Sequence, residues 1–184
     1  MNKIRIASIA LISALAYPGA MMAAGDEPNA LPNGGFEQGF EHWSKMNHSV
    51  LETDAHGGIN AARLTANETE IVRLETSVQN PPKAGTLGIW HKVPSGAKAN
   101  SPLTVIMIPL ATSGAEVPQG RRFFIVKPSR DNDWHQFFTE FKLPPNTARL
   151  VLRFSINDTE VPHQNRGVTA YVVDDITLTP SANP

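Results

Sequence analysis

The sequence predicts an all-β protein, an antiparallel β-sandwich in one domain. Three observations carry that expectation. Short apolar runs alternate with polar residues at period two, and turn signals separate them at sandwich-like spacing. No stretch sustains the 3.6-residue period of an amphipathic helix. The 15 Pro fall in groups, and each group sits at a boundary drawn on other grounds. A length of 184 residues suits one domain and buries a core without staples.

Composition removes several function classes. There is no Cys, which excludes disulfides, thiolate metal sites and Cys nucleophiles. The formal net charge is -1. Removing Lys3 and Arg5 with a leader leaves 14 bases against 17 acids. That balance argues against nucleic acid as a partner, since nucleic acid asks for a basic stripe. No charge run is present that would hold a membrane surface.

Taken in order, the chain begins with the pattern of a secretory signal, residues 1–25. Lys3 and Arg5 form its charged start, Ile6 to Ala16 its apolar run, and Ala23-Ala24-Gly25 its small-residue cleavage site. The apolar run is shorter than the roughly 20 residues of a spanning helix, so no membrane insertion is expected. Residues 26–184 are then expected as a single domain, secreted or periplasmic.

Asn33-Gly34-Gly35-Phe36-Glu37 reads as a turn leading into a first strand, with a Gly-containing bend and Trp43 after it. Strands are predicted over residues 50–53, 61–65 and 70–76, with an Asp54–Gly58 turn after the first and a break at Asn80–Gly85. Residues 86–93 set Leu87, Ile89 and His91 against Gly88, Trp90 and Lys92. Residues 103–110 are almost continuously apolar, which fits a central strand. Residues 121–127 place Phe123 and Ile125 opposite Phe124, and residues 134–143 place Phe137 and Phe141 opposite Phe138. Residues 149–156 alternate most cleanly, with Leu150, Leu152, Phe154 and Ile156 inward and Arg149, Val151 and Arg153 outward. A long polar loop, 157–167, precedes a last strand over 168–179 that carries Asp174 and Asp175.

No catalytic motif stands between the two acidic ends. The six His, at 42, 48, 56, 91, 135 and 163, show no metal-ligand spacing. Asp131-Asn132-Asp133 lacks the Gly and the distant Glu of a calcium loop. No Gly-rich phosphate loop, and no nucleophile with an evident base, is found. The acids of the first and last strands suggest two chain ends meeting across a metal ion, because carboxylates drawn together repel unless a cation or proton intervenes.

The two ends also match something specific. Asn33-Gly34-Gly35-Phe36-Glu37, then Gly39 and Trp43, the glycines at 57–58, Trp134 and the closing Val173-Asp174-Asp175-Ile176-Thr177-Leu178 resemble the CenC-type carbohydrate-binding modules. The resemblance runs from about Leu31 to Pro180, with the specific motifs at the ends. It implies a galactose-binding-domain-like jelly roll that binds a polysaccharide or glycan on one sheet face and performs no catalysis. In that family a structural calcium ties the first strand to the last. Carried over by position, Gly35 supplies a carbonyl, Glu37 and Asp174 side-chain oxygens, and a residue of the 54–57 turn a further ligand. Calcium takes six to eight hard oxygen ligands of this kind.

The sugar platform is less visible. Trp43, Trp90 and Trp134 each have a packing explanation, which leaves Phe124 and Phe138 as the candidates to line a groove. Arg149 and Arg153, on the outward face of one strand, could grip a carboxylate of an acidic sugar. The competing expectation is a structural or protein-interaction jelly roll of the cell envelope, binding an envelope protein partner and no sugar.

Overall fold

The structure is a computed structural model that describes residues 29–129, 131–161 and 167–181. The expected leader, residues 1–25, lies outside them. Ten strands form: β1 (Trp43–Met46), β2 (Ser49–Glu52), β3 (Ala61–Ala66), β4 (Val72–Gln79), β5 (Ala84–Lys92), β6 (Leu103–Leu110), β7 (Arg122–Val126), β8 (His135–Lys142), β9 (Arg149–Ile156) and β10 (Thr169–Pro180). They make two antiparallel five-stranded sheets, as the alternation and turn spacing predict. Sheet A has the order β1-β4-β9-β6-β7 and sheet B the order β2-β3-β10-β5-β8.

The inward residues of each strand meet in one core. Sheet A contributes Leu74, Val105, Leu150, Leu152 and Phe154, and sheet B contributes Leu64, Leu87, Ile89, Tyr171 and Val173, all fully buried. Each such side chain is worth about 1.5–3 kcal/mol in removed apolar surface. The strand β10 runs through the middle of sheet B, between β3 and β5.

Two expectations are corrected here. The opening stretch is not a strand. Asn33, Phe36, Gly39 and His42 all have positive φ, at 51°, 56°, 63° and 66°, so the chain winds through successive turns until β1 begins at Trp43. The Asn33 side chain organises those turns, donating to the carbonyls of Gly39 and Glu41 and accepting from the Gln38 N–H. Trp43 packs on Phe36 and Phe154 and donates its ring N–H to Asn33 O at 2.9 Å.

The second correction is the face of β7. Its alternation is as expected, but Phe124 turns toward the core and meets Phe137 of β8 across the gap between the sheets, ring centres 6.4 Å apart. Phe123 and Ile125 are the exposed pair. Phe124 therefore lines no groove. It seals the β7/β8 edge, where two sheets that end together need a bulky residue between them.

The chain ends do clasp, though through a loop rather than a strand. Ile176 donates to Gly34 O, Ala30 donates to Leu178 O, and Asn29 both donates to Ile176 O and accepts from the Leu178 N–H. At Gly34 a Cβ would collide with the Ile176 carbonyl, so only Gly permits this approach.

Candidate functional site

The carboxylate pair comes from a β-bulge. In β10 the inward residues step from Val173 to Ile176, one residue more than the pleat allows, and the pairing with β5 shifts between Asp174 and Thr177. Asp175 takes up the extra residue at φ 43°. Asp174 is fully buried. Its Oδ2 accepts the N–H groups of His56 (2.8 Å) and Gly57 (3.1 Å), and its Oδ1 accepts that of Asp175 (2.7 Å). Burial pushes its carboxyl above the usual range and the Asp175 charge adds to this, against the pull of the N–H donors. Asp175 Oδ2 lies 2.7 Å from His56 Nδ1.

Of the three predicted metal ligands, the structure brings Gly35 and Asp174 together. A Cβ on Gly35 would lie 3.3 Å from Asp175 Oδ1 and 3.9 Å from Asp174 Oδ1. Glu37 stands on the other side of the 57–58 turn, where its carboxylate accepts the N–H groups of Ile59 and Asn60 at 3.0 Å each. Among the described residues no three His, Asp or Glu side chains gather into a metal cluster. The adjacent pair Asp174–Asp175 has the chemistry a hard cation favours, two carboxylates of which one is desolvated.

Above this bulge the outer face of sheet B is aromatic. Register sets Asp174, Trp90 and Gln136 in one row across β10, β5 and β8, and Thr177, Gly88 and Phe138 in the next. Trp90 is half-buried and carries the His56 ring stacked on it, centroids 3.8 Å apart and planes 14° apart. The Trp134 ring meets the edge of His56 at 5.6 Å and lies under the Lys92 ammonium at 4.8 Å. Lys92, itself buried, pairs with Asp54. Phe138 has no side chain opposite it on Gly88 and is 69% exposed.

The packing explanation expected for each Trp leaves none for a platform; of the three, only Trp43 lies in the core. Trp90 and Trp134 stand outside sheet B. Alternation did contain that signal, since Trp90 falls opposite Leu87 and Ile89 in parity.

The four predicted ligand residues do not share a site. Phe138 is on the outside of sheet B, Phe124 is between the sheets, and Arg149 and Arg153 are on the outside of sheet A. Arg153 is held there, Nε to Glu75 at 2.8 Å and a terminal nitrogen to Glu160 at 2.9 Å. His91, on the inward side of β5, is buried with its Nδ1 unpaired. Burial, aided by the neighbouring His135, lowers its pKa to about 4, so it is neutral near pH 7 and is not a poised base.

Comparison with solved structures places this architecture. The chain superposes on a family 61 carbohydrate-binding module solved with β-1,4-galactotriose, with TM-score 0.58 and 18% identity over 82% of this chain and 97% of that one. It superposes on the CBM22-1 xylan-binding domain of Paenibacillus barcinonensis Xyn10C, with TM-score 0.57 and 16% identity over 85% of this chain and 97% of that one. A similar domain lies in the enzymatically active part of bacteriophage CBA120 tailspike protein 4, with TM-score 0.62 and 12% identity; 81% of this chain is covered, and it spans 21% of the tailspike chain. No protein-family model and no curated protein matches the sequence. The fold is that of the carbohydrate-binding-module jelly rolls. At these identities the likeness is one of fold.

Proposed function

We propose that the protein is a secreted, non-catalytic glycan-binding protein that takes a polysaccharide on the outer face of sheet B. The observation that carries this reading is the exposed Phe138, set across from the bare Gly88 and beside Trp90. A sugar ring laid with its C–H face on Phe138 reaches the Gln136 amide and the Thr177 hydroxyl in the adjoining register positions, and both can donate and accept. The fold supports the same reading, because modules with this architecture include one solved with a galactose oligomer and one described as xylan-binding.

The test is binding of the full chain to a broad panel of soluble and insoluble glycans in calcium buffer. Binding to one glycan class, weakened about tenfold or more by Phe138→Ala, is the expected result; tenfold corresponds to about 1.4 kcal/mol. Silence across the panel from a folded protein overturns the reading in favour of an envelope protein-interaction domain.

A structural calcium ion at Asp174, Asp175 and the Gly35 backbone belongs to the same proposal. What supports it is the desolvated Asp174 beside a second carboxylate, a pairing that a cation relieves. Its role would be to fix the 54–58 turn, and hence the His56 ring over Trp90. Melting in excess calcium should exceed melting in chelator by several degrees, since 1 kcal/mol moves Tm about 2–8 °C across domains of this size range. An identical midpoint after verified metal removal rules the ion out.

A further inference from the structure

The outer face of sheet A holds an arrangement that the glycan reading leaves unused. Three guanidinium groups converge on one carboxylate. Arg153 reaches Glu160 Oε1 at 2.9 Å, Arg73 reaches the same oxygen at 3.8 Å, and Arg121 pairs with Oε2. Each arginine also has its own acid. Arg121 holds Glu116 in a two-point fork (2.9 and 2.6 Å), Arg73 holds Asp158 (3.3 and 3.3 Å), and Arg153 holds Glu75 at 2.8 Å. Glu160 is thus the one carboxylate shared by all three.

Its position differs from that of its neighbours. Glu75, Arg73 and Arg153 stand on strands, fixed by the ladder of sheet A. Glu160 comes from the loop after β9 and reaches back over the face. The register then runs from Glu75 through Arg153 and the fully buried Ile106 to Phe123, which is 42% exposed. Arg153 and Phe123 are two strand intervals apart, about 10 Å. A charged grip and an exposed ring at that separation suit a ligand with a carboxylate at one point and an apolar surface further along.

We propose that the outer face of sheet A is a second binding site, for a uronate unit of an acidic oligosaccharide, and that Glu160 is a tethered stand-in for the ligand carboxylate. The three arginines and their three private acids are neutral together, so a uronate carboxylate takes Glu160's place without changing the local charge. Fork-shaped donors recognise any carboxylate in this way, and the neighbouring Phe123 gives the sugar ring its surface. Glu160 competes as an intramolecular ligand, at an effective concentration in the millimolar range for a short tether. Binding to the wild-type chain is therefore weak, and it strengthens when Glu160 loses its charge.

The experiment is titration of tri-galacturonate into the wild-type chain and into Glu160→Gln, read by amide chemical shifts and calorimetry. Neutral tri-galactose and a peptide with a free C-terminal carboxylate serve as the other arms. Expected are shifts in β9 and β7, an affinity about tenfold higher in Glu160→Gln, and loss of that gain in the double variant with Arg121→Ala. Phe138→Ala, on the opposite sheet, should leave this binding unchanged, which separates its fate from that of the sheet B reading. If Glu160→Gln, folded by its amide spectrum, binds tri-galacturonate no better than the wild type, the proposal fails, and it fails if tri-galactose gains as much from the substitution. It fails equally if the peptide binds as tightly as the uronate, for then the site reads a carboxylate without a sugar.

Discussion

The two outer faces of the sandwich share strand spacing and differ in almost everything else. Sheet A carries a network of ion pairs around Arg73, Arg121 and Arg153, each of which holds at least one carboxylate, with buried Ile106 beneath them. Sheet B shows aromatic rings, two of them ordered by His56 and one, Phe138, left open. Ion pairs hold position only when their partners hold position, so the ionic face is a network in which one removal is felt by several groups. The aromatic face is built from separate contacts, and its most exposed ring contributes little to stability. A face can therefore be open to a ligand in two ways: by exposing a surface nothing else needs, or by satisfying itself with a group that can be exchanged.

Acid should distinguish the two sheets most strongly. Burial and the neighbouring His135 hold the His91 imidazole, under sheet B, down at a pKa of about 4, against about 6.5 for an exposed histidine. Between those values the unfolded chain binds the proton and the folded one does not, so stability falls as pH drops from about 6.5 to about 4, by on the order of 3 kcal/mol. Asp174, with its raised carboxyl, contributes in the opposite direction, gaining as pH falls. His91→Leu should remove the first slope and leave the second, as denaturant melts across pH would show. On sheet A, Asp158 is held below its usual range by the Glu160 N–H, Ser155 and Arg73, against its burial, so its contribution persists above the ordinary carboxylate pKa and is lost only in stronger acid. Amide shifts of β9 should thus move at lower pH than those of β5.

Arg153→Ala comes next. Its side chain is 15% exposed and serves both Glu75 and Glu160, so truncation should cost about 2 kcal/mol in urea unfolding. A loss under 0.5 kcal/mol would show the network to be decorative. Salt should act on the same face more gently. Raising ionic strength from 0.01 to 1 M, which shortens the Debye length from about 30 to about 3 Å, should weaken sheet A contacts and leave the His56–Trp90 stack unchanged. The smallest expected effect is Phe138→Ala on stability, within about 0.5 kcal/mol, while the proposed glycan binding should lose most by the same change.

Much of this architecture is legible in the sequence, and the gaps have physical causes. The runs over β8 and β9 alternate cleanly and that over β6 is almost continuously apolar, and their borders fall where the apolar pattern ends. The opening stretch misleads because Phe36 and Glu37 look like a strand start, whereas positive φ at Asn33, Phe36 and Gly39 is set by the Asn33 side-chain bonds, which no periodicity displays. Alternation also sorts a strand into two sides without naming the inner one. In β7 both sides carry Phe, so only the contact of Phe124 with Phe137, a residue of another sheet, decides it. The acids at 174 and 175 mark the site, but the bulge that turns both of them toward the 54–58 turn depends on the register with β5. The role of Glu160 had no local sign, since its partners lie 7 to 87 residues away along the chain, as the Arg153 contact and the placement of Arg73 show.

The central position of β10 has a consequence for how the chain is made. Sheet B cannot form around β3 and β5 alone, because the strand between them follows the other nine described strands in the chain, and Asn29 waits for Leu178, 149 residues downstream. Contacts of such separation make folding slow. A nascent chain thus leaves β3 and β5 without their shared neighbour until β10 has emerged.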